Sequence, residues 1–110
     1  MHLVPQLKQL RFFYMTLDPA ELRDLQISIG DRIYIQVASW HLYLRDAGLA
    51  KTLAIECNAN LELGVSVAAR KALEAVQVQL GGGTTRLPLA RLIPSGQIFD
   101  LEEILDPYCK

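Results

Sequence analysis

Between Val76 and Leu89 the chain reads VQVQLGGGTTRLPL, three adjacent glycines set between two alternating apolar runs. Alternation with period two belongs to a strand with one buried face. Val76, Val78 and Leu80 alternate into the glycines and Leu87 and Leu89 alternate out, so the segment predicts a short β-hairpin near residues 76–89. Gly81, Gly82 and Gly83 supply positive φ in the loop at no steric cost. Pro88 lacks an N–H and marks the returning strand as an edge or a strand end.

The same residues argue against a phosphate-binding loop. Such a loop needs a helix N-terminus directly after the glycines, where free N–H groups and the helix dipole meet the anion. Here Thr84, Thr85 and Pro88 oppose an immediate helix. No Gly-Lys-Ser/Thr follows, and adjacent glycines break the dinucleotide spacing. One anion reading survives: Thr84, Thr85 and Arg86 at the tip, with Arg91 nearby, offer hydroxyls, exposed N–H groups and guanidinium donors.

A second strong signal lies at Asp18-Pro19-Ala20-Glu21, where an N-cap, a proline at the first helical position and an acid three residues after the cap coincide. Met15 stands just ahead of it. Residues 1–14 therefore read as an extension outside a single domain over 15–110, the alternative being a short helix lying on that domain. From Asp18 onward Leu22, Leu25, Ile29, Ile33, Val37, Trp40, Leu44 and Ala47 fall within about 60° of one helical line. That pattern predicts one long N-terminal helix over 19–46, with Gly30 a weak point and Gly48 the C-cap. The competing reading is a strand, since Ile33, Ile35 and Val37 alternate in β-branched context. It requires a bulge near Ala38, because Trp40, Leu42 and Leu44 fall on the opposite parity. On the helical reading Trp40 is a core anchor whose truncation would cost about 3–5 kcal/mol. Ile27, Tyr34, Ile35 and Leu42 then form a second apolar side, either sandwiched within the domain or shared with a partner.

Further on, residues 49–63 read as a helix ended by Gly64, and Ser66 caps a third helix reaching about Glu74. A turn at Pro94-Ser95-Gly96 precedes a last helix capped by the Asp100/Glu103 pair and closed by Pro107. The fold class expected is mainly α (α+β), a small helical bundle carrying one hairpin.

The chain has 110 residues, enough for one core that buries roughly 65 % of the unfolded surface. Eleven basic and twelve acidic side chains leave a net charge of −1, so no global field recruits nucleic acid. The basic stretch with Arg70, Lys71, Arg86 and Arg91 contains no aromatic residue for stacking between them. No run is long and apolar enough to span a membrane. Cys57 and Cys109 lack metal-ligand spacing and suit a reducing compartment. Ser39, His41 and Cys57 supply the raw material of a hydrolytic site, but no nucleophile signature surrounds them. No catalytic, metal or cofactor-binding residue is assigned, and no cofactor is expected.

The stretches IGDRIYIQVASWHLYLRDAGLA (29–50) and VQVQLGGGTTRLPLARLIPS (76–95) together resemble a family of small cyanobacterial proteins classed as a domain of unknown function. The similarity runs over roughly residues 20–106 and is weakest around ECNANLELGVS. It implies a photosynthetic bacterial host, no established activity and no catalytic residues to carry over. The cysteines and the lack of a spanning run suit a cytoplasmic location, and the host biology suggests a peripheral one at the thylakoid surface. The leading expectation is a non-enzymatic interaction or assembly-assisting protein, acting on a protein partner or by self-association. The alternative is a small-ligand or anion binder using Thr84, Thr85, Arg86 and Arg91.

Overall fold

The computed structural model describes residues 17–109, so the expected extension over 1–14 lies outside the described residues. Helix α1 spans Pro19–Arg32 and begins at a capping box. The Glu21 N–H donates to Asp18 Oδ1 at 2.8 Å and the Asp18 N–H to Glu21 Oε1 at 3.1 Å, satisfying two donors a helix start otherwise leaves free. Its buried face carries Leu25 and Ile29.

The chain does not continue as one helix to residue 46. It leaves helical geometry at Ile33 (φ −98°, ψ 136°) and forms an antiparallel hairpin, β1 (Tyr34–Val37) and β2 (Trp40–Tyr43). Gly30 and Asp31 are weak helix formers, and the β-branched and aromatic run after them loses χ1 freedom in a helix. Partners are Tyr34 and Tyr43, Ile35 and Leu42, Gln36 and His41, Val37 and Trp40. No bulge is needed. A two-residue turn pairs odd positions with even ones, so the parity switch at Ala38-Ser39 is what an antiparallel return demands. Ala38 takes φ 55° there, the left-handed value such hairpin turns require at their first central residue.

Helix α2 (Leu44–Ala47) ends at Gly48, which caps it in left-handed geometry with φ 74°. Helix α3 (Ala50–Asn60) runs into a single 3₁₀ turn, Leu61–Leu63, and Gly64 closes it. Helix α4 (Val65–Ala75) starts from Gly64, so Ser66 lies inside the helix and does not cap it. The second hairpin, β3 (Gln77–Leu80) and β4 (Thr85–Pro88), falls where the glycines predict it, with φ of 55°, 76° and 89° at Gly81, Gly82 and Gly83. Helix α5 (Gln97–Leu105) starts one turn earlier than expected. Asp100 therefore sits in its first turn, accepting from Gln97, instead of capping it.

The structure is thus mostly helical with two small hairpins, an α+β protein in which the expected long helix is broken. Helix α1 packs on α3 and α5, and α4 packs on α3 and α5. They enclose Leu25, Ile29, Leu53, Cys57, Leu73, Leu101 and Leu105, all essentially without exposure. Alanines 68, 69 and 72 on α4 let its neighbours approach closely. A Cβ on Gly30 would stand 3.1 Å from Arg45 Cβ and 3.3 Å from Ala50 Cβ. The helix weak point read from sequence is thus also the place where α1 meets the start of α3.

Trp40 is not core. It is 74 % exposed at the end of the first hairpin, so Trp40→Ala is expected to change stability by no more than about 0.5 kcal/mol. Leu53→Ala, at a fully buried position, should cost about 2–5 kcal/mol. Thermal unfolding of the two variants checks the inversion of the order the helical pattern implies.

Candidate interaction surface

The first hairpin gathers four of the eight large apolar residues exposed among the described residues, Val37, Trp40, Leu42 and Tyr43. Residues of opposite parity on β1 and β2 share one face, and burial falls steadily along it. At the base Ile33 and Leu44 are fully buried and joined by the Leu44 N–H to Ile33 C=O bond at 2.9 Å. One pair further out Ile35 is 8 % exposed and Leu42 41 %. At the tip Val37 is 41 % exposed and Trp40 74 %. An apolar face therefore rises out of the core and continues into solvent.

The other face carries an aromatic group. The Tyr34 and His41 rings stack at 4.9 Å, and Tyr43 meets Tyr34 edge-on at 5.5 Å. Tyr43 stands directly opposite Tyr34 in a non-hydrogen-bonded pair, and His41 reaches Tyr34 diagonally from the next such pair.

Backbone hydrogen bonds fix where the hairpin stands. Tyr34 and Gln36 turn their N–H groups away from β2 and both find acceptors. The Tyr34 N–H donates to Gln97 Oε1 at 2.8 Å, and the Gln36 N–H to the Leu92 carbonyl at 2.7 Å. Gln97 is the buried polar residue of the described core, 6 % exposed, and its Nε2 donates to Asp100 Oδ2 at 2.9 Å. The amide thus ties the root of β1 to the first turn of α5. Sequence reasoning missed Gln97, for no local pattern announces an acceptor that serves a strand sixty residues away. It also missed the exposure of Trp40 and Val37, although the parity switch at Ala38 carried that signal.

Of the residues expected to form a second apolar side, the structure brings Tyr34, Ile35 and Leu42 together on one hairpin. They do not share a face: Ile35 and Leu42 pair on the apolar side and Tyr34 lies on the aromatic one. Ile27 is 55 % exposed on α1, beside a cleft of ≈ 240 Å³ that Arg45 and Lys51 also line. That volume is below the range of small-molecule pockets, and Arg45 is engaged there with Asp31 at 2.6 Å.

The anion candidates are less well assembled. The Thr84 hydroxyl donates to the Gly81 carbonyl at 3.2 Å, closing the turn. Arg86 lies opposite Gln79 on the outward face. Strand β4 carries the chain away from the tip, leaving Arg91 in the 3₁₀ turn Leu89–Arg91, on the order of 10 Å off.

Catalytic material is scattered. His41 is an exposed strand residue rather than a helical one, and Cys57 is buried in α3. Burial, reinforced by the Glu56 carboxylate, pushes the Cys57 thiol up to about 12, which removes the thiolate a nucleophile needs. Among the described residues no group of three or more His, Cys, Asp or Glu is placed to hold a metal.

A family model described as "Protein of unknown function (DUF3181)" matches residues 22–108, which contain most of α1 and every later helix and strand described. The chain belongs to this family, in agreement with the resemblance carried by the two quoted stretches. It is also 33 % identical over 97 residues to "Thylakoid-associated protein slr0729" of Synechocystis sp. (strain ATCC 27184 / PCC 6803 / Kazusa), covering 86 % of this chain and 95 % of that protein. No solved structure matches the chain.

Two outcomes follow from this geometry. Gln97→Leu removes the acceptor of the Tyr34 N–H and should cost about 1–3 kcal/mol, with faster hydrogen exchange at Tyr34 as its local signature. The raised Cys57 pKa means the folded state holds its proton where the unfolded thiol, ordinarily at 9.0, has lost it. Stability is then full below pH 9 and falls as pH rises toward about 12. Tyr108, raised by burial and then by Asp24 and Glu21, adds in the same direction. Denaturant midpoints across alkaline pH check the sign, with Cys57→Ala expected to flatten the curve.

Proposed function

We propose that this protein is a non-enzymatic interaction or assembly-assisting protein, held peripherally at the thylakoid surface of a photosynthetic bacterium. The observation that carries the reading is the apolar face of the first hairpin, covered at its root and exposed at Val37, Trp40 and Leu42. Apolar residues contiguous in this way and rimmed by polar ones usually mark a contact surface. The relative from Synechocystis bears the name of a thylakoid-associated protein. No helix among the described residues is long and apolar enough to cross a membrane, so attachment through the surface is the form of association considered.

A non-enzymatic role is supported by the exposure of His41 against the burial of Cys57 and by the engagement of several acidic side chains. Asp18 caps α1, Asp31 pairs with Arg45, and Glu103 pairs with Arg32 at 2.6 Å. Fractionation of host cells tests the proposal. The protein should travel with thylakoid membranes and leave them in alkaline carbonate without detergent. Complete recovery in the soluble fraction at low and high salt would overturn it.

A further inference from the structure

We infer that the tip of the first hairpin, Val37-Ala38-Ser39-Trp40 with Leu42 behind it, is a wedge that seats in the interfacial layer of a lipid bilayer, Trp40 leading. This deepens the thylakoid-surface reading and rests on it. Three observations favour lipid as the occupant. The first is charge: from Ile33 to Leu44 the chain contains no Lys, Arg, Asp or Glu, in a protein of which 21 % is charged. Desolvating this arm therefore requires no ion to be buried. The cations that flank it, Arg32 and Arg45, are already engaged, the first by Glu103 and the second by Asp31 and Asp46.

The second observation is size. Exposed Trp40, Val37 and Leu42 together present on the order of 300 Å² of apolar surface, taking about 150–250 Å² for a whole aromatic side chain. A stable protein interface needs about 800 Å² from each partner. A bilayer imposes no such minimum, since it closes around whatever is inserted.

The third is the order of the side chains. Exposure grows outward along one face, from Ile35 through Leu42 and Val37 to Trp40, so the most exposed apolar group is also the most advanced. Indole combines a large apolar body with one N–H, and such rings settle at the boundary between acyl chains and water. The root cannot follow the tip into lipid, because the Tyr34 and Gln36 N–H groups are bonded to Gln97 and Leu92 of the globular body. Insertion is thereby limited to the turn and its first pair.

Trp40 is the one tryptophan of the chain, so its emission reports from the tip alone. The full chain would be mixed with protein-free vesicles of phosphatidylcholine, and of phosphatidylcholine with phosphatidylglycerol. The expected result is a blue shift, loss of acrylamide quenching, and quenching by lipids brominated in the acyl chain. Binding should persist at about 0.5 M salt, where surface electrostatics are screened. Trp40→Ala should lower co-sedimentation with vesicles roughly ten- to a hundredfold, the weight of one buried large apolar side chain. Its circular dichroism should be unchanged, because Trp40 is exposed at the end of the hairpin. Phe99→Ala, at the other strongly exposed aromatic (69 %), should bind as wild type.

No shift with either vesicle, in a protein that does fractionate with thylakoids, would overturn the lipid assignment and leave a membrane protein as the occupant. A shift that depends on protein concentration and needs no vesicle would assign the tip to a second copy instead, and so would overturn it too. Loss of binding in Phe99→Ala with none in Trp40→Ala would move the contact to α5 and overturn it as well.

Discussion

The register of the first hairpin is the constraint from which the rest of this surface follows. A two-residue turn at Ala38-Ser39 sets Ile33 opposite Leu44, and both are sealed in the core. Once that pair is placed, period-two geometry leaves no freedom for what lies further out. Ile35, Leu42, Val37 and Trp40 must share the face of the buried pair, and the distance from the core decides how much of each is covered. A shift by one residue would bury Tyr34 and His41 and expose Ile35, which the core does not permit. The left-handed φ of Ala38, costly for a residue with a Cβ, is accepted as part of that register.

Anchoring of this arm falls to few groups. A two-stranded ribbon is marginal alone, and here the outward N–H groups of β1 are taken by the Gln97 side chain and the Leu92 carbonyl. Leu92 lies in the segment that links the second hairpin to α5, and Gln97 is the first residue of α5. The glycine turn at 81–83 therefore contributes to the first hairpin indirectly, by returning the chain so that Leu92 and Gln97 meet β1. At its own tip the Thr84 hydroxyl is committed to the turn. The glycines turn the chain, and of the anion candidates Thr85 and Arg86 stand exposed near the tip.

Membership in a family described only as of unknown function leaves the surface chemistry as the guide to what the protein does. In the helical body the cleft beside Ile27 is small, Cys57 is buried and protonated, and Asp18, Asp31 and Glu103 are capping or paired. The first hairpin adds an exposed apolar ribbon at Val37, Trp40 and Leu42. The proposed thylakoid-surface role and the proposed seating of Trp40 in lipid both rest on that feature, one in the cell and one at the level of a single side chain.

Much of the fold was legible in local sequence. The capping box at Asp18, the alternating run into Gly81, and the stops at Gly48 and Gly64 each involve residues within a few positions of one another, where sterics and hydrogen bonding act without help from the rest of the chain. The span from Ile33 to Leu44 was not settled in that way. Its apolar residues satisfy a helical stripe and an antiparallel pair almost equally, since eight positions fit the one and opposite parity across Ala38 fits the other. The choice between them was made by tertiary structure. A hairpin places Ile33, Ile35 and Leu44 in the core and gives the N–H groups of Tyr34 and Gln36 acceptors on Gln97 and Leu92, contacts that a helix would not make. The same choice moved Trp40 from the interior to the surface. Sequence determined which residues are apolar and where the chain turns; the long-range acceptors decided which of those residues face solvent, because a strand's outward hydrogen bonds are made by whatever the fold brings beside it.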